Sequence, residues 1–227
     1  MRSLPLPLAL TARLTPVAVL ACAGWALSSG PAAPDAAAHR ADGQTPAQSA
    51  SAPSSTAASK AYTSAPAPCT GVSVDTIKSL VPGAKTAGKE IPSTDTKLRR
   101  TCSWNALKGY DYRWLDVSFE LTGSDQDATK EYERRVAAKS GGGTVPGLGD
   151  AGYSVVNLSS EDKQDTREGV VMTRVSNALV IVTYSGSDFD TKKAPSTDEI
   201  NKGAIKAAKG AVAALGSSAA DASGTSG

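Results

Sequence analysis

Arg113-Trp114-Leu115-Asp116-Val117-Ser118-Phe119-Glu120-Leu121-Thr122 alternates apolar and polar side chains over almost its whole length. Period-two alternation places Leu115, Val117, Phe119 and Leu121 on one face of a strand and Trp114, Asp116, Ser118 and Glu120 on the other. Upstream, Arg99 to Ala106 has the composition of a second strand, and the intervening Leu107 to Asp111 contains Gly109, so the two segments form an antiparallel hairpin. A weaker strand signal covers Gly88 to Ile91.

The pattern on either side supplies the other elements. Ser73 is placed to cap a short helix with Asp75 in its first turn and Val74, Ile77, Leu80 and Val81 on its buried side, stopped by Pro82-Gly83. Beyond the hairpin, Ala128, Tyr132 and Val136 recur every four residues in a helix predicted over Ser124 to Lys139, with Glu131 four residues before Arg135. Gly141 to Gly143 end it. Further strands are expected at Ala151 to Leu158, Gly169 to Val175 and Leu179 to Tyr184, the last two joined through Ser176-Asn177-Ala178. Ser196 and Glu199 have capping-box spacing for a final helix with Ile200, Ala204, Ala208, Val212 and Leu215 as its buried stripe. Strands in neighbouring sets, not alternating with helices, predict an α+β fold: a mainly antiparallel twisted sheet of about six strands with about three helices.

The termini have a different composition. Arg2 and Arg13 precede or interrupt an apolar segment, Leu14 to Leu27, which is too short to span a bilayer and suits a secretory signal over residues 1–28. Within it Val19-Leu20-Ala21-Cys22 resembles a bacterial lipobox, with the bulky Leu20 where a small residue is usual, so Cys22 is a candidate lipid attachment site. Cleavage near Ala32 or Ala33 with Cys22 discarded, an uncleaved signal anchor, and a misplaced start codon are the other readings. Residues 29–68 are rich in Ala, Ser, Pro and Thr and are expected to form a disordered linker. As a flexible coil, about 40 residues reach on the order of 35 Å. Gly216 to Gly227 form a second expected tail, leaving a single globular domain at 69–215.

Composition excludes several activities. Between Cys69 and Leu215 there are 20 Lys and Arg and 19 Asp and Glu, so the domain is nearly neutral and ill suited to nucleic acid. His39 is the one histidine and lies in the linker, so neither a Ser-His-Asp triad nor a His-containing metal site can form in the domain. Gly147-Leu148-Gly149-Asp150-Ala151-Gly152 matches the dinucleotide fingerprint letter for letter, but leads into a strand where that motif must open a helix, so it predicts a turn with positive-φ glycines and no cofactor. Paired carboxylates for glycoside hydrolysis remain open to any acids that meet in space, Asp111, Asp116 and Glu120 first among them because they lie near aromatic residues.

Two cysteines remain in the domain. If Cys69 and Cys102 are bridged, chain entropy contributes roughly 3.5 kcal/mol for a loop of that length. Three cysteines in an exported chain leave one over, which favours lipidation of Cys22. Pro68-Cys69, Cys102-Ser103-Trp104 and Pro146-Gly147-Leu148-Gly149-Asp150-Ala151 together resemble a family of secreted actinobacterial lipoproteins known as a domain of unknown function. The resemblance covers about Pro68 to Leu215. It implies a Cys69–Cys102 disulfide, an envelope location, and a plan of lipobox, spacer and domain similar to that of extracellular sensor domains of actinobacterial membrane kinases. It brings no catalytic residues.

The functional expectation is an exported, lipid-anchored protein on the outer face of the cell membrane. Its domain is expected to be a non-enzymatic binding module for an envelope lipid, glycan or membrane protein. The alternatives are a cell-wall glycan or lipid hydrolase and a structural lipoprotein. Tyr110, Tyr112 and Trp114 fall at period two, and if the strand extends back to Tyr110 they share the face opposite the Leu115 stripe. Either helices cover both sheet faces and the rings pack under one of them, alongside Trp104, or part of the row stays open as a ligand patch.

Overall fold

The computed structural model describes residues 60–224, with side chains through 218. The expected signal segment, Cys22 and His39 lie outside the described residues, as does most of the linker. The described chain forms β1 (Lys89–Ile91), β2 (Arg99–Lys108), β3 (Asp111–Leu121), β4 (Gly143–Thr144), β5 (Ala151–Glu161), β6 (Gln164–Val175) and β7 (Ala178–Asp188). Its helices are α1 (Val74–Leu80), α2 (Asp125–Ala137) and α3 (Thr197–Gly224), with a 3-10 turn at Pro68–Thr70. All seven strands form one antiparallel sheet in the order β1-β2-β3-β7-β6-β5-β4. The fold class is therefore the expected α+β, with seven strands in place of about six. The extra strand, β4, is two residues long and lies in the glycine run expected only to end a helix.

Two strand sets meet at the centre. β1-β2-β3 and β4-β5-β6-β7 are each sequential meanders, and β3 pairs with β7 along its whole length. The link from β3, in the middle, to β4, at one edge, must cross the sheet, and α2 makes that crossing. α2 begins on Ser124, whose hydroxyl accepts from the Asp127 N–H at 3.1 Å, and lays Tyr132 and Val136 on Tyr153, Val155, Val170 and Met172.

The opposite face carries the larger core. Trp104, Leu115, Val117, Phe119, Val171, Val180 and Val182 are buried beneath α1 and α3. α3 contributes Ile200, Ala204, Ala208 and Leu215 as expected, with Ala207 and Ala211, all fully buried, while Val212 is half-buried. Tyr184 donates its buried hydroxyl to the Leu80 carbonyl at 2.8 Å and so ties the end of α1 to the sheet. The expected bridge is present: Cys69 and Cys102 are disulfide-bonded.

Several expectations are corrected. The ordered domain begins before Cys69: Asn177, fully buried in the β6–β7 turn, accepts from the Tyr62 N–H and donates to the Tyr62 and Thr122 carbonyls, and Ala65 is buried. The linker composition hid this because the clamp holds backbone atoms. α3 continues past Leu215 to Gly224, where a tail was expected. Val74 faces solvent, 49% exposed, instead of the core. The capping box is half made: Ser196 accepts from the Glu199 N–H, but the Glu199 carboxylate is taken by Arg113 at 2.9 Å. β5 and β6 run on to a tight turn at Asp162-Lys163, both at positive φ, through a polar stretch without a hydrophobic period.

α2 also carries an acid-sensitive contact. Hydrogen bonds from Arg134 and Arg135 hold the Glu131 carboxyl down to about 2, against an ordinary 4.5. A pKa depressed on folding adds stability above the unfolded value, and that stability is lost as pH falls from about 4.5 towards 2. Glu131→Gln should remove this part of the acid limb of a melting-temperature profile, by no more than about 1 kcal/mol for a partly exposed cluster, and leave the neutral-pH shape alone. An unchanged acid limb would show the pairs to be thermodynamically silent.

Candidate functional site

Because α2 crosses only the β5–β7 side near the Leu121 end of β3, the rest of that sheet face lacks a covering helix among the described residues. Register then decides which side chains share it. One row runs Asn105, Trp114, Ser185, Glu168 and Asn157 across β2, β3, β7, β6 and β5. The next includes Leu107, Tyr112 and Ser187 on β2, β3 and β7, and Thr166 and Ser159 on β6 and β5, with the Ser187 and Thr166 hydroxyls 2.7 Å apart. At the usual strand spacing such a row is about 19 Å long.

The rings on β3 are fixed. Trp114 is 40% exposed, and its indole N–H donates to Asp116 at 2.7 Å. Tyr112, half-buried, packs edge-on against Trp114 with centroids 6.4 Å apart and also touches Phe189 at 6.0 Å. Burial, helped by the Asp116 charge, pushes the Tyr112 phenol above its ordinary value, so it stays a hydrogen-bond donor at neutral pH.

Phe189 was not anticipated. It follows β7, is 41% exposed, and is placed by its N–H bond to the Tyr110 carbonyl and by Asp188. Asp188 accepts from the Asp190 N–H and from the Thr191 N–H and hydroxyl; the Thr191 bonds are the main reason its carboxyl lies below the usual range. An aromatic residue after a strand has no periodic signal, so only the fold could bring it here.

Tyr110 is corrected in turn. β3 starts at Asp111, which leaves Tyr110 in the hairpin turn, 63% exposed, and neither of the two aromatic ring pairs among the described residues includes it. Trp104 faces the other way, 1% exposed, with its indole N–H on the Thr86 carbonyl at 3.1 Å. The rings of Tyr112 and Trp114 therefore lie neither under any described helix nor beside Trp104.

The three acids do not pair with one another. Asp111 bonds Arg113 on the α3 side of the sheet, Asp116 holds the Trp114 indole, and Glu120 lies between Arg135 at 2.7 Å and Arg99 at 3.3 Å. The Gly147–Gly152 segment is a turn, with Gly147 and Gly149 at φ +70° and +61° and Leu148 buried. Asp150 accepts from the Ser176 N–H at 2.7 Å and pairs with Arg174 at 3.1 Å, which fastens this turn to the β6–β7 turn. The residues behind the family resemblance thus serve the fold: a disulfide, a buried indole and a core plug.

No protein-family model matches the chain, and no curated protein is similar to it. A solved structure from Bacteroides thetaiotaomicron VPI-5482 is similar at 12% identity with a TM-score of 0.31, over 52% of this chain and 47% of that one. The chain thus spans about half the length of that protein, and a likeness so slight carries no argument.

Proposed function

We propose that the domain is a non-enzymatic binding module of the cell envelope that holds a neutral glycan on the open sheet face, the chain being exported and lipid-anchored through Cys22. The observation that carries the reading is the placement of the Tyr112 and Trp114 rings, held from below and open above, between Asn105, Ser185, Glu168 and Asn157. Rings offer an apolar body to the C–H faces of a sugar, and the flanking amides, hydroxyls and carboxylate match its hydroxyl groups. Glu168 and Asp116, the charges nearest the two rings, are negative and disfavour an anionic lipid headgroup there, while Lys85 and Lys89 lie farther out, at the β2 edge.

The test is calorimetric titration with neutral oligosaccharides, and sedimentation with phosphatidylglycerol vesicles, using the parent and the Tyr112→Ser, Trp114→Ser double variant. The expected result is saturable glycan binding by the parent, and a folded variant whose affinity falls by about tenfold or more, since buried aromatic anchors dominate such sites. A variant that keeps the parent's melting temperature and affinity, or vesicle binding without glycan binding, would overturn it. Partition of the native protein into detergent, abolished by Cys22→Ala, checks the tether.

A further inference from the structure

β2 extends from Arg99 to Lys108, yet β1 covers its outer edge only from Thr101 to Ser103. The Leu121 N–H donates to the Leu98 carbonyl, and with the register this sets the parity: even-numbered β2 residues exchange hydrogen bonds with β3, and odd-numbered ones turn their N–H and C=O outward. Asn105 and Leu107 therefore present two N–H and two C=O groups along an edge that no described strand occupies.

The cause is local. Gly88, at φ +66°, closes a turn by donating its N–H to the Lys85 carbonyl, so the chain reaches β2 only at Lys89. Any larger residue would fail there, since a Cβ would lie 2.6 Å from Cys102 Sγ and Trp104 Nε1. The diverted chain leaves a cleft of about 390 Å³, with Lys85, Gly88 and Lys89 on one wall and Ser103, Asn105 and Leu107 on the other.

One more observation selects an occupant. Lys85 and Lys89 are exposed and neither is in an ion pair among the described residues.

We propose that this edge accepts an extended acidic segment of a partner protein, which adds to the sheet as a further strand in line with β1. The backbone groups of Asn105 and Leu107 supply main-chain pairing, and the two lysines favour carboxylates. A second copy of this chain fits less well, because joining two such edges would bring four like charges together. The proposal uses the outward backbone groups of Asn105 and Leu107, whose side chains belong to the aromatic rows, and does not depend on a ligand there.

Amide hydrogen exchange followed by NMR on the whole protein tests this. The probe is an acetylated, amidated heptapeptide pool alternating glutamate with β-branched residues. At saturation the Asn105 and Leu107 N–H groups should slow by about tenfold or more. The same pool N-methylated at alternate residues should give no protection, and the Lys85→Glu, Lys89→Glu variant should prefer a lysine pool instead. Failure of the glutamate pool to saturate, protection confined to other amides, or protection that survives N-methylation would overturn the proposal. So would protection that appears without peptide and grows with protein concentration, which would assign the edge to a second copy. Loss of glycan binding in the Trp114 variant leaves all these outcomes untouched.

Discussion

Gly149→Ala should lower the stability of the domain by roughly 2–4 kcal/mol, the sum of a left-handed backbone that alanine tolerates poorly and a steric collision. At φ +61°, a Cβ on residue 149 would sit 2.6 Å from the Arg174 carbonyl oxygen and 2.6 Å from Thr173 Cγ2. Neither can move freely, since Thr173 is buried in β6 and the Arg174 carbonyl accepts the Asp150 N–H at 2.9 Å. Gly147→Ala is the internal control: its φ is +70°, but nothing lies within 4 Å of its Cβ, so it should cost only the backbone share, about 1 kcal/mol. For a domain of this size the Gly149 variant should melt about 6–12 °C lower. A Gly149→Ala protein that melts with the parent but has lost a saturable ligand would show the turn to be a binding element instead.

Reducing the Cys69–Cys102 bridge is the second large effect, at roughly 3.5 kcal/mol from loop entropy for its 33-residue separation. More than entropy is at stake. Cys69 lies in the 3-10 turn, and the adjoining Gly71 comes so close to Phe119 that an added Cβ would be 3.0 Å from its ring. The bridge thus pins the 62–80 segment over the β2–β3 side of the core, while α3 packs mostly on β5 to β7. Reduction should lower the melting temperature by about 10 °C, and Leu80 and Val81 amides should exchange before those of β6. A melting temperature that ignores reductant, with free thiols shown by alkylation, would make the bridge dispensable.

Alternation and capping were legible without coordinates. Leu115, Val117, Phe119 and Leu121 all face the core, and Ser73 caps the helix expected of it. These are local signals: period two or near four in hydrophobicity, and a hydroxyl within reach of an N–H three residues on. The glycine turn at 147–149 was also legible, because a motif that leads into a strand cannot serve a phosphate.

The candidate site was only half legible. Alternation put Tyr112 and Trp114 on one face, but whether that face was covered depended on where α2 crosses, and thus on the β3–β7 pairing that places β4 at the far edge. Phe189 reaches Tyr112 through that same pairing, between residues 77 positions apart in the chain (189 − 112). Asn177 resembled any turn residue until the fold brought the Tyr62 backbone to it. By itself the sequence determined the three helices, six of the seven strands and most of their buried faces, while export and a lipid anchor are expectations at residues outside the described ones. Only the tertiary structure decided strand order, the open face and the bare edge of β2, because these arise from contacts between segments distant in sequence, to which no local periodicity responds.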